Sequence, residues 1–112
     1  MRISKVESLI KQHIADMLLH EIADPRIGFA TITRVEVSKD LKFAKVYYSV
    51  LGSEEQKKQT KEGIDSAARF IQKTVASRLD TKFTPQLRFF LDKSPEKAIE
   101  IEQLFKKIKR ER

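Results

Sequence analysis

The sequence predicts an α+β domain in which a three-stranded sheet carries its helices on one face. Three observations lead there. An amphipathic stripe with helical spacing opens the chain, two alternating segments joined by a short polar turn follow it, and a second long helical stripe precedes a third short apolar run. Helix, strand, strand, helix, strand is the pattern of a sheet covered on one side.

Residues 4–22 read as the first helix, because Ile3, Val6, Ile10, Ile14, Met17 and Leu18 recur at three- and four-residue steps. Ser4 with Glu7 has the spacing of a capping box. The segment Ala23-Asp24-Pro25-Arg26-Ile27-Gly28 breaks the pattern, since Pro25 restricts the residue before it. Asp24 and Arg26 are expected to cap or pair within that turn. Two strands are predicted over 29–38 and 42–50. Ala44, Val46, Tyr48 and Val50 alternate with Phe43, Lys45, Tyr47 and Ser49, the two-residue period of a half-buried strand. In the first strand Ile32 is out of phase with Val35 and Val37, which predicts a bulge near Thr33 or Arg34. Ser38-Lys39-Asp40-Leu41 is the hairpin connection.

Ser53 and Gln56 form a second capping-box pattern, so a helix is expected from about Glu54. Its first part, to Glu62, is polar and reads as solvated. Ile64, Ala67, Ala68, Ile71, Val75 and Leu79 then form an apolar stripe. Phe70 falls outside that stripe on a straight helix, which predicts a kink near Ala67–Arg69. Thr84-Pro85 precedes a third strand containing Leu87, Phe89, Phe90 and Leu91, with the proline at its start, where a missing N–H is tolerated. Ser94-Pro95 begins a last helix, with Ala98, Ile101, Leu104, Phe105 and Ile108 as its apolar face. The expected organisation is one domain over residues 1–108, followed by a basic tail at 109–112.

The composition narrows the function. The chain has 112 residues, 40% of them hydrophobic, enough for one core. There is no cysteine, which excludes disulfides, thiolate nucleophiles and cysteine-containing metal sites. No apolar run approaches the roughly 18 residues of a membrane span, and the N-terminus lacks the apolar core of a secretory leader, so a cytoplasmic protein without membrane contact is expected. His13 and His20 have no third partner in sequence to make a metal site. Nothing pairs a nucleophile with a base, and there is no glycine-rich phosphate loop, so the expectation is no enzyme, no cofactor and no small-molecule substrate. The formal charge is +7. The excess lies in the second half, where Arg69, Lys73, Arg78, Lys82 and Arg88 face only Asp80. A basic domain of this size suits nucleic acid, because each cation that meets a phosphate releases counterions.

The element order is also that of the bacterial-type (type II) KH fold, written α-β-β-α-kink-α-β with an added C-terminal helix. A KH domain clamps the nucleic-acid backbone with Gly-x-x-Gly. This chain has only Gly28, Gly52 and Gly63, no two of them three apart, so that clamp is missing.

Three segments carry a family resemblance: Ile22-Ala23-Asp24-Pro25-Arg26-Ile27-Gly28, then Val35-Glu36-Val37-Ser38-Lys39-Asp40-Leu41-Lys42-Phe43-Ala44-Lys45-Val46-Tyr47, then Thr84-Pro85-Gln86-Leu87-Arg88-Phe89-Phe90-Leu91-Asp92-Lys93-Ser94. With Ser66-Ala67 and Phe70-Ile71 between them, the sequence resembles the ribosome-binding factor A family from about residue 2 to about residue 108. That family replaces the KH glycines with an Ala-x-Gly kink. Here the positions read Ala67-Ala68-Arg69, with arginine in place of the glycine, and Gln86 stands where the family often has glutamate. The resemblance implies an assembly factor that binds free or immature small (30S) ribosomal subunits and contacts 16S rRNA, and a monomer is expected. It further implies support for late maturation and precursor processing, above all in the cold.

Several side chains are candidates for RNA contact. Arg69, Lys73, Arg78, Lys82 and Arg88 are favoured over a merely solvated helix face. Lys39, Lys42 and Lys45 on the hairpin serve equally well as RNA contacts or as protection of a strand edge. Phe43 and Tyr47 share a strand face with Lys45 and either stack bases or, more commonly for such residues, pack against another part of the domain. Two other functions fit the same residues: a module that docks on ribosomal proteins and uses its charge for steering, and a general single-stranded RNA binder.

Overall fold

The computed structural model describes residues 3–28, 30–79 and 84–94, together with Gln103, Leu104 and Lys106. The elements are α1 (Ile3–His20), a single 3₁₀ turn (Pro25–Ile27), β1 (Ala30–Val37), β2 (Phe43–Val50), α2 (Glu54–Arg78) and β3 (Gln86–Leu91). Ser94 and the three isolated later residues are helical. The rest of the last predicted helix, the tail at 109–112 and Lys82 lie outside the described residues.

The strands form one sheet in the order β1-β2-β3. β1 and β2 are an antiparallel hairpin, and β3 runs parallel to β2. Parallel neighbours need a crossover, and α2 supplies it. α1 lies over β1, while α2 lies over β2 and β3, so both helices cover the same face. The core between the layers joins Val6, Ile10, Ile14 and Met17 of α1 to Ile64, Ile71 and Val75 of α2, and to Ala44, Val46, Tyr48 and Val50 of β2. The apolar stripes and the alternation of β2 place these residues inward, as the sequence predicts.

The predicted bulge is present. The β1–β2 register slips between Ile32 and Arg34, so that Ile32 faces Tyr48 and Val35 faces Val46. The extra residue lets both Ile32 and Val35 enter the core. The displaced Thr33 hydroxyl donates to Asp92 at 2.7 Å and lies 3.3 Å from the Tyr47 carbonyl. Asp92 also accepts from the Ser94 backbone N–H at 2.9 Å. These bonds, from Ser94 first and then Thr33, hold its carboxyl below the ordinary 3.8.

Two helical expectations come out differently. Glu7 makes no cap with Ser4. Its carboxylate accepts from the Val37 N–H at 2.8 Å, tying α1 to the far end of β1. The helix α2 is one continuous element through Ala67–Arg69 and not two helices meeting there, and Arg69 stands helical with its side chain in solvent, as a mild kink at that point would leave it. Phe70, whose phase suggested the kink, remains 49% exposed. Arginine in place of glycine removes the inexpensive access to a positive φ that a sharp break would use.

The start of α2 is closed by the expected capping box. The Ser53 hydroxyl accepts from Gln56 N–H at 3.2 Å, and the Gln56 side chain accepts from Ser53 N–H at 2.7 Å. The polar first part of the helix is not wholly solvated, because Thr60 and Gly63 are buried under the 3₁₀ turn. The Thr60 hydroxyl lies 2.9 Å from both the Arg26 and Gln56 carbonyls. A Cβ on Gly63 would sit 2.7 Å from Ile27 Cγ1 and 3.2 Å from Arg26 Cβ, so the turn seats where α2 has no side chain. Asp24 holds the turn by accepting from Arg26 N–H at 2.9 Å and from its guanidinium at 2.7 Å. At the other end of α2, Gln72 reaches β3. Its amide NH₂ donates to the Pro85 carbonyl at 3.0 Å and its carbonyl accepts from Leu87 N–H at 2.8 Å.

Candidate nucleic-acid interface

Because the helices occupy one face, the alternate residues of all three strands look outward from the other. The register sets Arg34, Tyr47 and Phe90 in one row across the strands, and Glu36, Lys45 and Arg88 in the next. Phe43 and Gln86 form a third row at the hairpin end of β2. Within this face the Arg34 guanidinium lies 4.1 Å from the Tyr47 ring centroid, and that of Arg88 lies 5.4 Å from the Phe43 ring. Tyr47 and Phe90 stand 5.7 Å apart between centroids with a 33° tilt, within the usual range for an aromatic pair. Phe43 is 44% exposed and Phe90 41%. Arg34 also reaches Glu36 at 3.4 Å and Asp92 at 3.9 Å. A shallow depression beside Phe43 is lined by Glu36, Val37, Ser38 and Lys45.

The hairpin tip is held by its own side chains. The Ser38 hydroxyl donates to Asp40 at 2.6 Å and accepts from Phe43 N–H, while Asp40 accepts from Lys42 N–H at 3.1 Å. These bonds, the one from Ser38 foremost, lower the Asp40 pKa. They also hold Leu41 at φ 61°, a left-handed position that costs a non-glycine residue about 1 kcal/mol. Lys39 and Lys42 are therefore presented from an ordered turn, both exposed.

The cations of α2 face elsewhere. Each helical residue turns about 100°, so Arg69 and Lys73, two positions before and after the buried Ile71, point away from the sheet. Both are exposed, and neither makes an ion pair with a described residue. Arg78 differs. It bonds Glu21 and lies 3.9 Å from Asp16, both from the α1 side, and the bond to Glu21 raises its pKa. The predicted cations thus do not gather on one surface. Lys45 and Arg88 lie on the open sheet face, Lys39 and Lys42 at its hairpin end, Arg69 and Lys73 behind the helical layer, and Arg78 in an internal ion pair.

Two residues of the open face escaped the sequence reading. Arg34 follows the bulge, so its direction depends on where the extra residue falls, and Phe90 joins Tyr47 only through the parallel register. The bulge predicted near Thr33 or Arg34 was the available signal for the first. Among the described residues no group of three His, Asp or Glu side chains is placed to hold a metal ion, and no helix is long and apolar enough to cross a membrane.

Comparison with known proteins gives a consistent result. A family model described as ribosome-binding factor A matches residues 2–105. The ribosome-binding factor A of Halothermothrix orenii is 43% identical over 110 residues, which cover 98% of this chain and 90% of that protein. The crystal structure of ribosome-binding factor A from Thermus thermophilus shares the fold with a TM-score of 0.69 at 24% identity, covering 81% of this chain and 97% of that one. A homology model of Thermus thermophilus ribosome binding factor A, fitted into the cryo-EM map of a complex with the 30S subunit, aligns with a TM-score of 0.65 at 25% identity, covering 80% of this chain and 93% of that one.

Proposed function

We propose a function from one premise: the chain belongs to the ribosome-binding factor A family. The protein binds the free or immature 30S subunit in the cytoplasm as a monomer, contacts 16S rRNA, and supports late maturation and processing of the rRNA precursor, most of all in the cold. It does so by binding, without catalysis and without a cofactor or small-molecule substrate. The family match over residues 2–105 carries this reading. The relative fitted into a 30S complex supports it, as do the exposed cations Lys39, Arg69 and Lys73, none of which forms an ion pair with a described acidic residue. Unpaired surface cations cost nothing to detach from an internal partner, so phosphate contact keeps its full electrostatic gain.

Co-sedimentation with purified small subunits across a salt series tests the proposal. Binding should weaken steeply as salt rises, by close to one power of salt concentration for each phosphate neutralised. Arg69→Glu and Lys73→Glu should weaken it further, while unfolding shifts by no more than about 0.5 kcal/mol, since both positions are exposed. Salt-independent binding would point to docking on ribosomal proteins. Charge reversals that bind as tightly as the parent would move the contact to the hairpin lysines.

A further inference from the structure

We infer that the sheet face opposite α1 and α2 is a stacking platform for unpaired bases of single-stranded RNA, with Phe43 and Phe90 as the two open rings. The inference rests on the ribosomal reading for the identity of the nucleic acid as RNA, and on the geometry of the face for the rest. Three features carry it. Phe43 and Phe90 keep 44% and 41% of their surface exposed, although a core lies on the other side of the same strands. Leaving aromatic rings in water is unfavourable, and a base laid on each would relieve it. The register brings cations into the same face: Arg34 beside Tyr47, Arg88 beside Phe43, and Lys45 in the row between, against Glu36 as the exposed acid of that face among the described residues. Arg34 already reaches Glu36 and Asp92, but Lys45 and Arg88 have no ion-pair partner among the described residues, and an apolar peptide would have no use for them whereas a strand of phosphates does. The rings are also spaced along the strands. Phe90 pairs with Tyr47, four residues along β2 from Phe43, a separation of about 13 Å at the rise of a β-strand. Two platforms at that spacing, with Lys45 between them, suit successive bases of an extended strand whose backbone crosses the lysine.

The face selects single strands over duplex for a physical reason. Bases in a duplex already stack on their neighbours and offer protein rings no open plane, so aromatic platforms recognise unpaired nucleotides. It sets no base identity, because stacking tolerates every base. Arg69 and Lys73, on the far side of α2, cannot reach a strand bound here. This contact would therefore be a second one, separate from any that they make with folded rRNA.

The test uses the full chain and a fluorescein-labelled, unstructured ten-nucleotide (CA)5 oligoribonucleotide, with a duplex of equal length for comparison. Phe43→Ala and Phe90→Ala should each weaken (CA)5 binding by about tenfold, within the range for loss of one base–ring stack. Duplex binding and the salt slope for (CA)5 should stay at parental values, since no charge is removed. Phe43→Leu and Phe90→Leu keep the apolar bulk, so they serve where an alanine variant melts early, and they too should weaken binding. A 4-thiouridine-substituted oligonucleotide should photo-crosslink to β2 or β3. The inference is overturned if folded variants bind (CA)5 like the parent, if single-strand and duplex binding fall together, or if cross-links map only to α2. It is also overturned if the parent does not bind (CA)5. Sedimentation of the parent with small subunits is scored separately. Subunit binding that persists when the ring variants have no effect on (CA)5 sinks this inference alone, and absent subunit binding with ring-dependent (CA)5 binding sinks the functional reading alone.

Discussion

Gly63→Ala should destabilise the protein, although the same change in an exposed helix would stabilise it. Alanine gains roughly 1 kcal/mol over glycine in a helix interior. Here the added Cβ would lie 2.7 Å from Ile27 Cγ1, with Arg26 Cβ at 3.2 Å and Ile27 Cδ1 at 3.3 Å. The nearest contact is about 1 Å inside the optimal carbon–carbon separation. Ile27 cannot swing aside, because it is buried and branched at Cβ, and the Asp24–Arg26 bonds fix the turn that carries it. Overpacking of this kind costs about 1–3 kcal/mol. The net loss should be near 1 kcal/mol, a fall in Tm of roughly 4–8 °C for a domain of this size. Thermal and urea unfolding followed by helical circular dichroism measures it. Ile27→Ala supplies the control. It should cost about 2–5 kcal/mol by itself, but on that background Gly63→Ala should become stabilising, because the obstructing atom is gone. A higher Tm for Gly63→Ala in the parent would show that the turn is not seated on α2 as described.

Arg78→Glu should lower Tm more than Arg69→Glu does, because it sets a third carboxylate beside Asp16 and Glu21. The deficit should shrink in high salt, and equal melting of the two variants would show that the ion pair is inert. Asp92→Asn should cost about 1–2 kcal/mol at neutral pH, because Thr33 and Ser94 lose a charged acceptor. The folded-state pKa of Asp92 lies below 3.8. Its contribution is therefore present above that value and lost as the pH falls through the lowered one, so the gap between parent and variant in urea titrations should hold down to the ordinary carboxylate range and close only at more acid pH. A constant gap would remove charge from the explanation. Deleting residues 109–112 should leave the melting curve nearly unchanged and weaken RNA binding modestly, measured by the same unfolding and sedimentation assays. A cooperative loss of structure would show that the tail packs.

What could be read from the sequence was local. The alternation of β2 needs only its own eight residues, the capping box needs only Ser53 and Gln56, and the bulge shows as a slip of phase between Ile32 and Val35. What could not be read depends on distant partners. Thr60 looks like part of a solvated stretch until the turn at Pro25–Ile27 is laid over it. Glu7 has the spacing of a cap, yet its carboxylate goes to Val37, thirty residues on. Arg78 counted as a free cation because Glu21 is 57 positions away. The candidate site follows the same rule. Charge per segment is visible in the chain, but which cations share a surface depends on the register of three strands and the side of α2. The seven described candidates therefore spread over several surfaces, and Arg34 and Phe90 were missed.

The side chains of Glu7 and Gln72 also bear on how copies of this protein behave in concentrated solution. β1 and β3 are the two borders of the sheet, and a border strand presents outward-pointing peptide groups onto which a strand from another molecule can build. The Gln72 amide has the donor and acceptor of a peptide unit. By bonding both the Pro85 carbonyl and the Leu87 N–H, it stands in for one residue of a fourth strand at the point where pairing along β3 would begin. Glu7 takes the Val37 N–H at the last residue of β1, and its negative charge repels an incoming carbonyl there. Each border thus has outward peptide groups at one end taken by a helix side chain of the same molecule, so growth of the sheet by intermolecular strand addition is obstructed at those points.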